Sequence, residues 1–108
     1  AEALKHLNAY VAAAPDDPVG LVGRARALVE LDRVDEAERN LERARELIAA
    51  NTTEANLDEP LQLATGRIHE ARGEISAAIR AYEAALAANP VSDEARRRIR
   101  ALSFPDAR

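Results

Sequence analysis

Apolar positions fall in blocks separated by short breaks at Pro15-Asp16-Asp17-Pro18, Arg33, Gly73 and Asn89-Pro90. The blocks predict six helices, near 2–14, 18–32, 35–50, 58–72, 75–89 and 92–103, and no strand. Asp17 before Pro18, and Asp58 before Glu59-Pro60, have the form of helix starts, with an acidic cap and a proline in the first turn where its missing donor costs little. Asp35 is expected to cap the third helix in the same way. In the last block Ala95, Ile99 and Leu102 form one narrow apolar stripe on an otherwise charged helix, as a terminal capping helix requires.

The blocks repeat. Ala3, Leu7, Tyr10 and Pro15 recur as Ala37, Leu41, Ala44 and Ala49, since 37 − 3, 41 − 7, 44 − 10 and 49 − 15 all equal 34. The pattern returns as Ala78, Tyr82, Ala85 and Pro90, where 78 − 37, 82 − 41, 85 − 44 and 90 − 49 all equal 41, and Ala25 returns as Gly66 at the same step. The extra 41 − 34 = 7 residues fall between Ala50 and Asp58, around Asn51-Thr52-Thr53, and are expected to form a loop with frayed helix ends.

These residues resemble the tetratricopeptide repeat family: a small residue in a first helix (Ala25, Gly66), then Ala, a large apolar residue and Ala in a second, closed by Pro90. Leu28 and His69 stand in the slot usually given to an aromatic, Leu21 and Gln62 where Trp is frequent, and Ala49 replaces the closing proline. The resemblance implies an all-α fold of antiparallel helix hairpins stacked as a right-handed α-solenoid. It covers a single domain over residues 1–104, with a half repeat at 1–15, full repeats at 18–50 and 58–90, an insertion at 51–57, a capping helix at 92–103 and a tail at 105–108.

The resemblance further implies a protein–protein interaction module that holds a peptide or protein segment in a concave groove lined by the first helix of each repeat. The matching positions include Val19, Val22, Arg26, Val29 and Glu30, then Leu63, Ala64, Arg67 and Glu70, with Arg97 and Arg98 extending the lining. Val22, Arg26 and Val29 share one helical stripe, and Leu63, Arg67 and Glu70 repeat it. An arginine on each rung suits a partner carrying Asp, Glu or a terminal carboxylate, through charge-assisted forked bonds. The bland alternative is that Arg26 and Arg67 pair with Glu30 and Glu70 on their own helices. A second functional expectation is self-association, a homodimer formed through the first helix, whose Leu4, Leu7 and Val11 have no leading helix to cover them.

Composition narrows the remaining classes. Of the 108 residues 47% are apolar but only 3% aromatic, so the core must be built mostly from Ala and Leu. The formal net charge of −4, with signs mixed along the chain, argues against nucleic acid as a partner. Arg96-Arg97-Arg98 has no interleaved aromatics and reads as a solvated face. No apolar run approaches the ~20 residues of a membrane span. Cysteine is absent, which removes thiolate metal sites and thiol nucleophiles and leaves cytoplasm and bacterial periplasm equally permitted. His6, His69, Ser76 and Ser103 lie on separate elements with no supporting motif, so neither catalysis, a metal nor a cofactor is expected. Ala and Arg usage has a bacterial style. The chain holds no Met and opens inside a helical pattern, which reads as a trimmed start.

Overall fold

The computed structural model describes residues 2–50 and 56–105. It is all-α among them: α1 (Glu2–Ala13), α2 (Pro18–Glu30), α3 (Val34–Ala50), α4 (Asp58–Ala71), α5 (Ile75–Ala88) and α6 (Asp93–Ser103). The expected helices are all present. Most of the anticipated insertion, residues 51–55, and residues 106–108 of the expected tail lie outside the described residues; Asn56 and Leu57 are not helical.

Side-chain caps set two of the helix starts. Asp17, in extended conformation, accepts the backbone N–H of Val19 at 3.0 Å, and Pro18 opens α2, as the sequence predicts. Ser92 begins α6 in the same manner, its hydroxyl accepting the N–H of Ala95 at 3.4 Å. Two expected caps move. Asp35 lies inside the first turn of α3, because that helix starts at Val34 and the Ala37 N–H already reaches the Arg33 carbonyl at 3.1 Å. Asp58 is likewise the first residue of α4 and not its cap. In both places the carboxylate still favours the positive end of the helix dipole.

The contacts divide the chain into two compact units, Ala1–Leu57 and Asp58–Arg108. In the first, α2 packs against both α1 and α3; in the second, α5 packs against both α4 and α6. The first-unit core consists of Leu4, Val11, Leu21, Val22, Ala25, Leu28, Ala37, Leu41, Ala44 and Leu47. The apolar face of α1, expected to stay uncovered in part, is covered at Leu4 and Val11 and only half covered at Leu7. Leu4 and Val11 are each only 8% exposed, while Tyr10, which the repeat register aligns with buried Ala44, is 45% exposed. The side chains of α1 that meet α2 are thus set by Leu4 and Val11, with Leu7 half-buried beside Gly23.

The second-unit core gathers Leu63, Ala78, Tyr82, Ala85 and Ala95, with Leu86, Ile99 and Leu102 packed against it. The α6 stripe therefore covers α5 through the three residues its spacing singles out. Tyr82 is fully buried, and it fits because Gly66 has no side chain: a Cβ there would lie 2.6 Å from Tyr82 Cε1.

Each unit turns its hairpin through one left-handed residue. Gly73 has φ of 76°, with Glu74 N–H bonded to the His69 carbonyl at 2.9 Å and Gly73 N–H to that of Glu70 at 3.1 Å. At the equivalent repeat position of the first unit, Asp32 takes φ of 61°, with Arg33 N–H on the Leu28 carbonyl at 2.8 Å and Asp32 N–H on that of Val29 at 3.0 Å. The chain break read at Arg33 is thus made by its neighbour Asp32.

Candidate functional site

Six of the nine expected first-helix positions of the groove lining are exposed or half-buried. On α2, Val19 is 46% exposed, Glu30 is exposed, and Arg26 and Val29 are half-buried. On α4, Arg67 is half-buried and makes no side-chain hydrogen bond or ion pair with any described residue. Val22, Leu63 and Ala64 are buried in the cores, at 3%, 5% and 0% exposure. A helical stripe repeated every three to four residues names a face, and these three lie where that face turns inward, so they support neighbouring side chains without offering surface of their own.

Glu70 and Arg98 are brought together. Arg98 of α6 forks onto the Glu70 carboxylate, its Nε on Oε1 at 3.1 Å and its Nη2 on Oε2. The Tyr82 hydroxyl donates to the same Oε1 at 2.8 Å. One carboxylate on α4 therefore ties α5 and α6, and the alternative pairing of Arg67 with Glu70 on its own helix does not form. Burial, followed by the hydrogen bond to Glu70, pushes the Tyr82 phenol well above its ordinary pKa of 10.0, and the same carboxylate raises that of Arg98. Arg97 is exposed, its Nε turned back onto the Asp93 carbonyl at 3.3 Å.

Sequence reasoning passed over Arg24 and Asn40. Arg24 Nε donates to Asn40 Oδ1 at 2.8 Å, and Asn40 Nδ2 donates in turn to the Glu36 carbonyl at 2.7 Å. This bridge between α2 and α3 stands beside two small clefts of the first unit. The available signal was a polar pair at repeat positions that the second hairpin fills with Thr65 and Ala81. Among the described residues no group of three His, Cys, Asp or Glu converges as a metal site. No helix among them is long and apolar enough to cross a membrane.

The geometry defines a helical-hairpin repeat protein. Residues 59–102 match the family model described as Tetratricopeptide repeat, a span that includes most of α4, all of α5 and most of α6. Over that span the chain is similar to the tetratricopeptide repeat family, whose members generally act as protein–protein interaction modules and are typically non-enzymatic scaffolds. Comparison with curated proteins and with solved structures gave no match.

Proposed function

We propose that this chain is an adaptor that binds segments of other proteins carrying carboxylates, each unit offering the outward part of its own first helix, α2 or α4. The family match over residues 59–102 carries this reading. Its chemistry rests on Arg67, half-buried on α4 with no carboxylate of the described chain attached to it; Arg26 holds the same repeat position on α2 but already has an interaction within the chain, which an incoming carboxylate would have to replace. A guanidinium in such a setting gains a charge-assisted, two-point bond to an incoming carboxylate, while its planar head limits the entropy lost on pairing. Val19 and Val29 supply aliphatic contact on α2; Val22, Leu63 and Ala64 hold the helix faces from beneath. Glu70 and Arg98 saturate each other and serve the fold of the second unit. Self-association through α1 has less support, because Leu4 and Val11 are buried.

Selecting peptides from a random display library tests this reading. The expected winners are acidic, and they bind Arg26→Glu/Arg67→Glu at least ~10-fold more weakly than the native chain. Equal binding to both proteins removes these two arginines as anchors.

A further inference from the structure

The first unit carries a second cluster of arginines, at positions other than the first-helix ones just described. Between α2 and α3 lies a cleft of about 270 Å³ lined by Leu21, Arg24, Arg39, Asn40 and Arg43. Three of its five lining residues are arginines and none is acidic. A smaller cleft of about 170 Å³ shares Arg24 and Asn40 but holds Glu36, which is paired with Arg33 at 2.8 Å. Glu36 lines the smaller cleft, bonded to Arg33, and acts at longer range on Arg39 and Arg24, whereas no carboxylate lines the larger cleft, whose Arg43 meets Asp16 and Glu46 outside it.

The geometry points to the larger cleft as a docking pocket for a carboxylate side chain of an acidic protein segment, held by Arg24, Arg39 and Arg43. Arg24 is positioned for this. Its Nε is fixed by Asn40, itself anchored on the Glu36 carbonyl, and its two terminal nitrogens donate to no described residue. A guanidinium held by one edge presents its remaining donors with little entropy left to lose. Arg39 is exposed and makes no hydrogen bond or ion pair with the described residues, although its charge acts on Glu36. Arg43 touches Asp16 at 3.4 Å and Glu46 at 3.3 Å, long contacts between exposed groups of the kind worth about 0–1 kcal/mol, which an incoming carboxylate can displace.

Charge selects the occupant, three arginines facing an acidic group. At about 270 Å³, and open to solvent, the cleft has room for one carboxylate side chain while the rest of the segment lies outside it. Its Leu21 wall gives apolar contact to the methylene stem of a Glu. The second unit has no counterpart: at the equivalent repeat positions Arg24, Asn40 and Arg43 become Thr65, Ala81 and Ala84, leaving only Arg80 for Arg39.

The test uses the whole 108-residue chain and an acetylated, amidated Glu-rich heptapeptide, followed through the arginine Nε–H signals in nitrogen-15 spectra. The Arg24 signal is expected to shift on titration. Affinity read at the Arg24 signal is expected to fall at least ~10-fold in Arg39→Glu/Arg43→Glu, whereas the Arg24 signal is still expected to shift with the peptide in Arg26→Glu/Arg67→Glu, whatever total binding that variant loses, which separates this pocket from the first-helix anchors. Both arginines are exposed, so helicity by circular dichroism should persist; if it does not, Arg39→Gln/Arg43→Gln carries the same test with a smaller loss. Inorganic phosphate at equal concentration is the second arm and is expected to bind more weakly than the peptide. The proposal is overturned by phosphate binding as tightly as the peptide, by an unshifted Arg24 signal, or by undiminished peptide affinity in the Arg39/Arg43 variants.

Discussion

The two hairpins α2–α3 and α4–α5 follow one repeat pattern and use it differently. At matching repeat positions the first unit has Val29 where the second has Glu70, and Leu41 where the second has Tyr82. The second unit converts that pair into a hydrogen-bonded centre closed by Arg98 from α6. The first places its polar bonds at the rim, in the Arg24–Asn40 bridge and the Arg33–Glu36 pair, and keeps an aliphatic interior. A repeat framework thus tolerates a polar network at either place, provided each buried polar atom has a partner. Accordingly, the described residues contain no buried side-chain nitrogen or oxygen without one.

The largest expected effect tests whether the tyrosine holds its unit as strongly as burial implies. Tyr82→Ala should cost about 3–5 kcal/mol and Leu41→Ala about 2–5 kcal/mol, read as falling denaturation midpoints. Hydrogen exchange should lose protection mainly in α4–α6 for the first variant and in α1–α3 for the second. Uniform loss along the chain in both would erase the contrast between the units.

Alkali gives a finer comparison. The Tyr82 pKa is raised in the folded chain, so between the unfolded value of about 10 and that raised value the folded state holds a proton the unfolded state has lost. Its contribution is full below pH ~10 and falls as pH rises beyond it. Tyr82→Phe should flatten this alkaline decline and cost about 1–2 kcal/mol at neutral pH for the lost bond to a charged acceptor. Tyr10 is also raised, chiefly by its 2.5 Å hydrogen bond to Asp17, but it is exposed, and Tyr10→Phe should leave most of the decline in place. Equal alkaline slopes for the native chain and Tyr82→Phe would reject this account.

The smallest effects belong to the turns. Asp32→Gly should stabilise the first unit by up to about 1 kcal/mol, because glycine enters the left-handed region without the Cβ penalty, and Gly73→Ala should destabilise the second by about 1 kcal/mol. No atom lies within 4 Å of a Cβ built at Gly73, so its loss would report backbone strain alone. Thermal unfolding of the two variants should therefore shift in opposite directions.

Helix number, helix limits and the α6 stripe were legible because each depends on nearest-neighbour chemistry: Pro18 after Asp17, Gly73 at a turn, Ala95, Ile99 and Leu102 at helical spacing. The repeat register was readable over α3 and α5, where the same small and large residues return. It failed on α1, where Leu4 and Val11 face α2 and the aligned Tyr10 does not. Of the site, the stripes on α2 and α4 were readable, but periodicity cannot tell a residue at the edge of a face from one just inside it, and so Val22, Leu63 and Ala64 entered the lining. The Glu70–Arg98 pair spans 28 residues and depends on how α6 lies on α5, which spacing within one helix does not encode.

Gly66 under Tyr82 constrains how this sequence can drift. Ala25 and Leu41 hold the same two repeat positions in the first unit, so the chain contains two distributions of volume between paired helices. Starting from the second unit, Gly66→Ala taken first crowds a methyl group against the ring, whereas Tyr82→Leu taken first leaves a void and no collision. The tyrosine must therefore shrink before the glycine can grow, and the order of those two substitutions is imposed by packing.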